Sequence, residues 1–394
     1  MHPLLTTSSN RPTRHERHRA RESSTHVVLA AVVFLAAASA AAWSATIRVP
    51  SEHATIQAAI NAASTGDSIL VAPGTYVENL DTRGKPLVLR SELGPASTII
   101  DGGGQARVLN VSGGGTIEGF TIRNGYDYSV GGGICVRGAA PTAILDNVIE
   151  ANAVGEFDVG TGGGIFCSPE TNVRISGNII RGNYAGDSGG GIWDWGAVPG
   201  NTISNNTIEG NWCHVCGAGI RTDGNSVIKN NLIRENTADS FGAGICIGGG
   251  STIENNTVVG NVNGNRTFVH GAGIHVWDGA PAIRWNVVVA NHGVTGLGAG
   301  LRCGGGAIVE CNDSWGNDSE DYLLVGGCDT TGGRNLAEDP LFCGADQGDY
   351  RISSQSVCAG SGELGCGLIG AFPVGCGATR VETGTWGRVK ARYR

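Results

Sequence analysis

Eight residues with useful chemistry stand at fixed offsets behind copies of one short motif. Trp193, Arg221, His275 and Arg302 each directly follow the aliphatic residue that closes a Gly-x-Gly-aliphatic sequence. Trp195, Asp223 and Trp277 follow it by three positions, and Asp278 by four. On a strand whose aliphatic residue points inward, the first and third following positions point outward together. Tryptophan faces stack on sugar rings, and charged groups meet the hydroxyls. An arginine or histidine there can act as the base of an elimination. Two carboxylates can divide acid and base roles in an inverting hydrolysis when about 6.5–9.5 Å apart. Asp223 and Asp278 lie two repeats apart, about 9.6 Å at the spacing of parallel strands. The intervening repeat offers the small Cys246 and Gly248 at the equivalent positions, which leaves room for a shallow groove. The competing reading is that outward rings merely stack on one another as cross-strand pairs. Asp127, Asp158, Asp187 and Asp239, in the loops ahead of the motif, supply hard oxygen ligands suited to Ca²⁺.

The spacing of these residues follows from a repeat. The glycine motif ends at Ile134, Ile165, Ile192, Ile220, Ile245, Ile274 and Leu301. In step with it, Asn-x-x-x-x-Asn opens at Asn147, Asn178, Asn206, Asn231, Asn256, Asn286 and Asn312. Two motifs in lockstep with a slightly variable period describe one structural unit with tolerant loops. Aliphatic residues recur three before and two after the opening asparagines, as in Ile203 and Ile208 or Ile228 and Ile233, with Ser314 after Asn312 breaking the second column. Around each aliphatic column the alternation has period two over four or five residues, which predicts three short strands per unit. Like strands recurring at this interval cannot form hairpins. They predict a coil in which each strand pairs in parallel with its equivalent one turn later. The asparagine belongs at a sharp bend, where its amide can bond to the next in the stack. With 66 Gly and one Met, the composition suits tight repeated bends.

These columns resemble those of the right-handed parallel β-helix superfamily, the pectate-lyase-like proteins, over residues 67–330. Less regular early coils fall at Ser68–Val71, Leu87–Leu89, Val108–Leu109 and Thr116–Ile117, with Phe120 in place of the turn asparagine. The resemblance implies an all-β fold of three parallel sheets and about ten coils, with a substrate cleft beside the longest loops. It also implies a polysaccharide lyase that acts on uronates by β-elimination. Ca²⁺ would neutralise the uronate, Arg221 or His275 would be the base, and Trp193, Trp195, Trp277 and Arg302 would hold the chain. Thr222-Asp223-Gly224 is similar to part of a polygalacturonase motif, without the paired aspartates that should follow. Val276-Trp277-Asp278 is similar to a pectate lyase strand, with Gly279 where that family has histidine. A hydrolase on the same fold, or a non-catalytic surface or adhesive protein binding carbohydrate through the same face, are the alternatives.

The ends differ from the middle. Residues 1–42 pair an arginine-bearing leader with an apolar run, Val27–Ala42, and small residues at Ala38-Ser39-Ala40, the pattern of a secretory signal peptide. Residues 43–66 place Ile56, Ala59, Ile60 and Ala63 at helical spacing, a helix to plug the first coil. With the following Gly74–Glu78 stretch, this resembles the start of pectin methylesterases. Residues 331–376 lose the repeat and gain cysteines, which predicts a stapled cap with Cys343 bonded to Cys358 and Cys366 to Cys376. Residues 377–394 form a basic tail. Cys213-His214-Val215-Cys216 reads as disulfide chemistry more readily than as a lone zinc half-site. The formal charge is −8, and the five Arg and two Glu of residues 1–40 leave −11 for the remainder, which disfavours nucleic acid. The chain is thus expected to be a secreted or cell-surface monomer without a retained membrane span, and to meet extracellular polysaccharide.

Overall fold

The structure is a computed structural model that describes residues 44–196, 200–264, 271–293, 298–325, 327–360 and 365–377. The leader and nearly all of the basic tail lie outside the described residues. The middle of the chain is a right-handed parallel coil. One turn shows its parts. Thr202–Ser204 lies on sheet 1, Thr207–Glu209 on sheet 2, Trp212–Cys213 on sheet 3 and Ile220–Thr222 on sheet 4. Sheets 1, 2 and 4 have eleven, ten and ten strands, as the three aliphatic columns predict. Sheet 3, with six two-residue strands, is an addition that the sequence did not reveal.

Register places like on like. Ile203 pairs with Ile228, Ile208 with Ile233 and Ile220 with Ile245, and all six are buried in one continuous core. Each isoleucine taken from water contributes about 1.5–3 kcal/mol. The four sides meet at bends, where backbone groups would otherwise be buried unpaired. Two asparagine ladders answer this. At the bend between sheets 1 and 2, the Asn231 backbone N–H and its Nδ2 both donate to Asn256 Oδ1, at 3.1 and 2.9 Å. Its Nδ2 also donates to the Ile203 carbonyl, and its own Oδ1 accepts from Asn206 in the same way. The ladder begins at Phe120, whose N–H donates to Asn147 Oδ1, and continues to Asn335. The second asparagine of each motif forms an equivalent ladder between sheets 2 and 3, from Asn152 to Asn317. The residue before the rung makes the bend itself. Asn205, Asn230 and Asn255 take φ of 56, 54 and 50°, the left-handed region that asparagine tolerates.

The first coil is plugged by the helix Ile56–Ala62, which buries Ile56, Ala59 and Ile60. Thr55 and Glu78 accept from its first N–H groups, and Lys85 Nζ donates to the last carbonyls, those of Ile60, Asn61 and Ala63. The cysteine-rich segment departs from expectation. Phe342–Gly344, Asp349–Ser353 and Val374–Cys376 form a small sheet that packs along the outer face of sheet 2. Tyr350, Ile352 and Ile369 cover Leu232, Val259, Val287 and Val289. Both outer strands pair with Asp349–Ser353, which brings Cys343 to Cys376, their Cα atoms 5.9 Å apart. Cys366 reaches back to Cys311 on the coil. The expected Cys343–Cys358 and Cys366–Cys376 pairings are therefore both replaced. Cys358 is a buried free thiol that donates to Asp313 Oδ2 at 3.1 Å.

Two predictions follow from these contacts. Asn231→Leu leaves the paired donors of Asn206 buried without an acceptor, so it should destabilise by about 2–4 kcal/mol. Exposed Asn225→Leu should change little, and equal thermal shifts for the two variants would count against the ladder. The second prediction concerns Asp313, whose carboxyl burial pushes up to about 6. The fold prefers its neutral form, so this contribution is complete below the ordinary carboxylate range and is lost as pH rises through about 6. Denaturant titrations should show Asp313→Asn losing less stability between acid and neutral pH than the parent, by roughly 2–3 kcal/mol. Parallel pH profiles would contradict that placement of the charge.

Candidate functional site

Sheet 4 presents the outward columns that alternation predicts. Along the axis, Cys135, Phe166, Trp193, Arg221, Cys246, His275 and Arg302 follow one another in register. Beside them, one residue past the strands, run Trp195, Asp223, Gly248 and Trp277. Loops from sheet 3 stack into a ridge along this face. Gly189 donates to the Cys216 carbonyl, Phe241 donates to the Val215 carbonyl, and Cys216 bridges Phe241 in parallel. The residue just before each Gly-x-Gly builds this ridge, with Ser188, Cys216 and Phe241 in successive coils. That column was present in the sequence, yet it carried no period-two pattern to draw notice.

Ridge and sheet enclose a cleft of about 240 Å³, lined by Asp187, Ser188, Trp193, Val215, Cys216, Arg221, Phe241 and Trp277. Four residues singled out from the sequence, Asp187, Trp193, Arg221 and Trp277, thus line one hollow. Trp195 and Trp277 remain 47% and 60% exposed, three coils or about 14 Å apart. Between them the space over Gly248 is taken by the Asp223 side chain, whose Oδ1 lies 2.2 Å from where a Cβ would stand. Trp193 packs on Trp195 at 6.1 Å, and Phe241 meets Trp277 edge-on at 5.3 Å. Among the described residues, the Trp193 indole N–H has no hydrogen-bond partner.

The charged residues are placed less freely than their types suggest. Arg221 Nε donates to both Asp223 oxygens, at 2.9 and 3.1 Å, and its Nη2 donates to Oδ1 at 2.5 Å. Both side chains are mostly covered, at 16% and 18% exposure. A guanidinium so tied to a carboxylate is a poor candidate for a base that must give up its proton. His275, expected to face outward into solvent, is fully buried beneath Phe241, whose ring stacks on it at 5.4 Å. Arg302 lies beside it, with Nη1 3.3 Å from His275 Nδ1, and is absent from the cleft lining. Burial lowers the Arg302 pKa. Cys246 is not an open gap, because it is bonded to Cys216 of the ridge. Asp278 sits exposed where the chain leaves the sheet, its Oδ1 accepting from Gly279, one position past the Asp223 column.

The four loop aspartates, expected to supply calcium ligands, differ in their surroundings. Asp127 is paired with Arg107 at 2.6 Å and Asp239 with His214 at 2.8 Å. Asp158 and Asp187 are near enough to influence each other electrostatically. Among the described residues no group of three or more His, Cys, Asp or Glu side chains could hold a metal ion. Cys213 is a buried free thiol, so the Cys213–Cys216 sequence is neither a zinc half-site nor one disulfide.

The family described as "Right handed beta helix region" matches residues 108–292. That span takes in most of the regular coils and the greater part of both ladders, which run on to Asn335 and Asn317. The chain is a right-handed parallel β-helix protein. Among solved structures, this β-helix is similar to a crystal structure of pectate lyase Pel9A, with 15% identity and a TM-score of 0.41 over 81% of this chain and 91% of the other. At that distance no residue role passes from one to the other. No curated protein sequence matches the β-helix chain.

Proposed function

We propose that this β-helix protein binds an extracellular polysaccharide along the outer face of sheet 4 and does not cleave it by β-elimination. The observation that carries this reading is the convergence of Trp193, Phe241 and Trp277 on one cleft beside fixed polar groups. Aromatic surface with a few oriented donors and acceptors suits sugar rings and their hydroxyls. The exposed Trp195 and Trp277 are spaced along the coil axis, so a linear chain would lie across successive turns. At about 240 Å³ the cleft suits one ring-sized group, with the rest of the chain on the surface.

Two features speak against an elimination, and a third against an inverting hydrolysis. Its candidate bases are an arginine held by Asp223 and a histidine buried under Phe241. Among the described residues the loop aspartates do not gather into a cluster that could hold the cation to neutralise a uronate. Asp223 and Asp278 do not share a column, and Asp223 is already engaged by Arg221. Four disulfides suit an oxidising compartment, in keeping with a secreted or surface location.

A panel of polysaccharides, with and without Ca²⁺, tests this reading through binding, new unsaturated ends and new reducing ends. Binding without either product is expected, and calcium-dependent unsaturated ends would overturn it. Trp193→Ala with Trp277→Ala should weaken binding by about 1–3 kcal/mol in total. A double variant that folds normally and binds unchanged would place the site elsewhere.

A further inference from the structure

We infer that the cleft selects a glycan unit bearing a protonated amine, with the Asp187 carboxylate receiving the ammonium. This rests on the glycan-binding reading above and names the chemical class of its ligand. Asp187 differs from the aspartates around it. Asp223 accepts three hydrogen bonds from Arg221, Asp239 is bonded to His214, and Asp127 to Arg107. Among the described residues, the Asp187 side chain accepts one hydrogen bond, from Ser188 Oγ at 2.8 Å. A carboxylate offers about four acceptor sites, so Asp187 lines the cleft with most of its capacity unused.

The charges that act on it leave a deficit of cation. Arg221 attracts it, while Asp158 and Asp223 repel it. Arg221 is itself tied to Asp223, so its one positive charge is shared between two carboxylates. Burial pushes the Asp187 carboxyl above its usual range, against the Ser188 hydrogen bond and the Arg221 charge. A bound ammonium would supply the missing partner, with three donors for the open lone pairs. Trp193, Phe241 and Trp277 line the same hollow, and the faces of aromatic rings attract cations. A uronate would instead bring a second carboxylate toward Asp187, on a chain that carries −8 overall.

The ligand is an amino sugar and not a bare metal, because no cluster of ligating side chains accompanies Asp187 among the described residues. It belongs to a glycan because the exposed Trp195 and Trp277 extend the surface along the axis well beyond one ammonium.

The test is calorimetric titration of the full chain at a pH where the sugar amine is protonated. The probes are an oligomer of β-linked 2-amino-2-deoxyglucose, its N-acetylated counterpart of equal length, an oligogalacturonate, and a lysine peptide of matched charge. The amine oligomer should bind at least about ten-fold more tightly than the acetylated one. Asp187→Asn should erase that preference, whereas Asp239→Asn should keep it. Equal affinity for the amine and acetylated oligomers, or a preference that survives in Asp187→Asn, overturns the inference and leaves glycan binding standing. Tighter binding of the lysine peptide than of the amine oligomer removes the sugar from the assignment. Absence of binding to every oligosaccharide overturns the glycan reading as well. The wild-type comparison decides the question even if the Asp187 variant does not fold.

Discussion

A chain that bends several times per turn inside a packed coil must satisfy its backbone at every bend, and here asparagine amides do so. Each rung accepts from the coil before it and donates to the coil after it. It also donates to a backbone carbonyl of the preceding coil, so that Asn231 touches both Ile203 and Asn256. An unpaired buried amide costs about 1–3 kcal/mol, so one missing rung affects two neighbours. The ladders therefore fix the register of every sheet. Register in turn decides which side chains share a column on the outside.

This explains how residues scattered over 90 positions come to form one hollow. Trp193, Arg221 and Trp277 belong to three coils and meet because Ile192, Ile220, Ile245 and Ile274 are stacked beneath them. The ridge is stacked by the same register, so Ser188, Cys216 and Phe241 face the sheet together. The Cys216–Cys246 bond ties ridge to sheet at the cleft wall, next to Arg221, whose Nη1 lies 3.2 Å from Cys246 Sγ.

Much of the fold was legible in the sequence because its cause is periodic. The aliphatic columns, the coil, the plugging helix and the first ladder all follow from residues that recur at one spacing. Sheet 3 was not legible, since strands as short as Trp212–Cys213 cannot show alternation. The second ladder stood within the Asn-x-x-x-x-Asn motif, but only its opening residue was given a role. The lateral position of the C-terminal sheet left a trace in Val287-Val288-Val289. A sheet with one wet face should alternate there, and an unbroken apolar run signals that both faces are covered. The disulfides depended on that position, so their pairing failed with it. For the site, alternation gave the direction of each side chain and nothing more. It set His275 outward, which is correct, yet it had no means of placing Phe241 over it. The Arg221–Asp223 pair was readable as two same-face residues of opposite charge, and its consequence for Arg221 as a base was missed.

The claim on which the whole account rests is that the ladders, and not the strands alone, hold the coils together. Residue-resolved hydrogen exchange measures this at the backbone amides that donate to the next rung, those of Asn178, Asn206, Asn231 and Asn256 at one bend and Asn183, Asn211, Asn236 and Asn261 at the other. The account predicts that these amides exchange as slowly as the buried strands beside them and open only when whole coils unfold. Fast local exchange at both sets of asparagines, with the adjoining strands still protected, would contradict it.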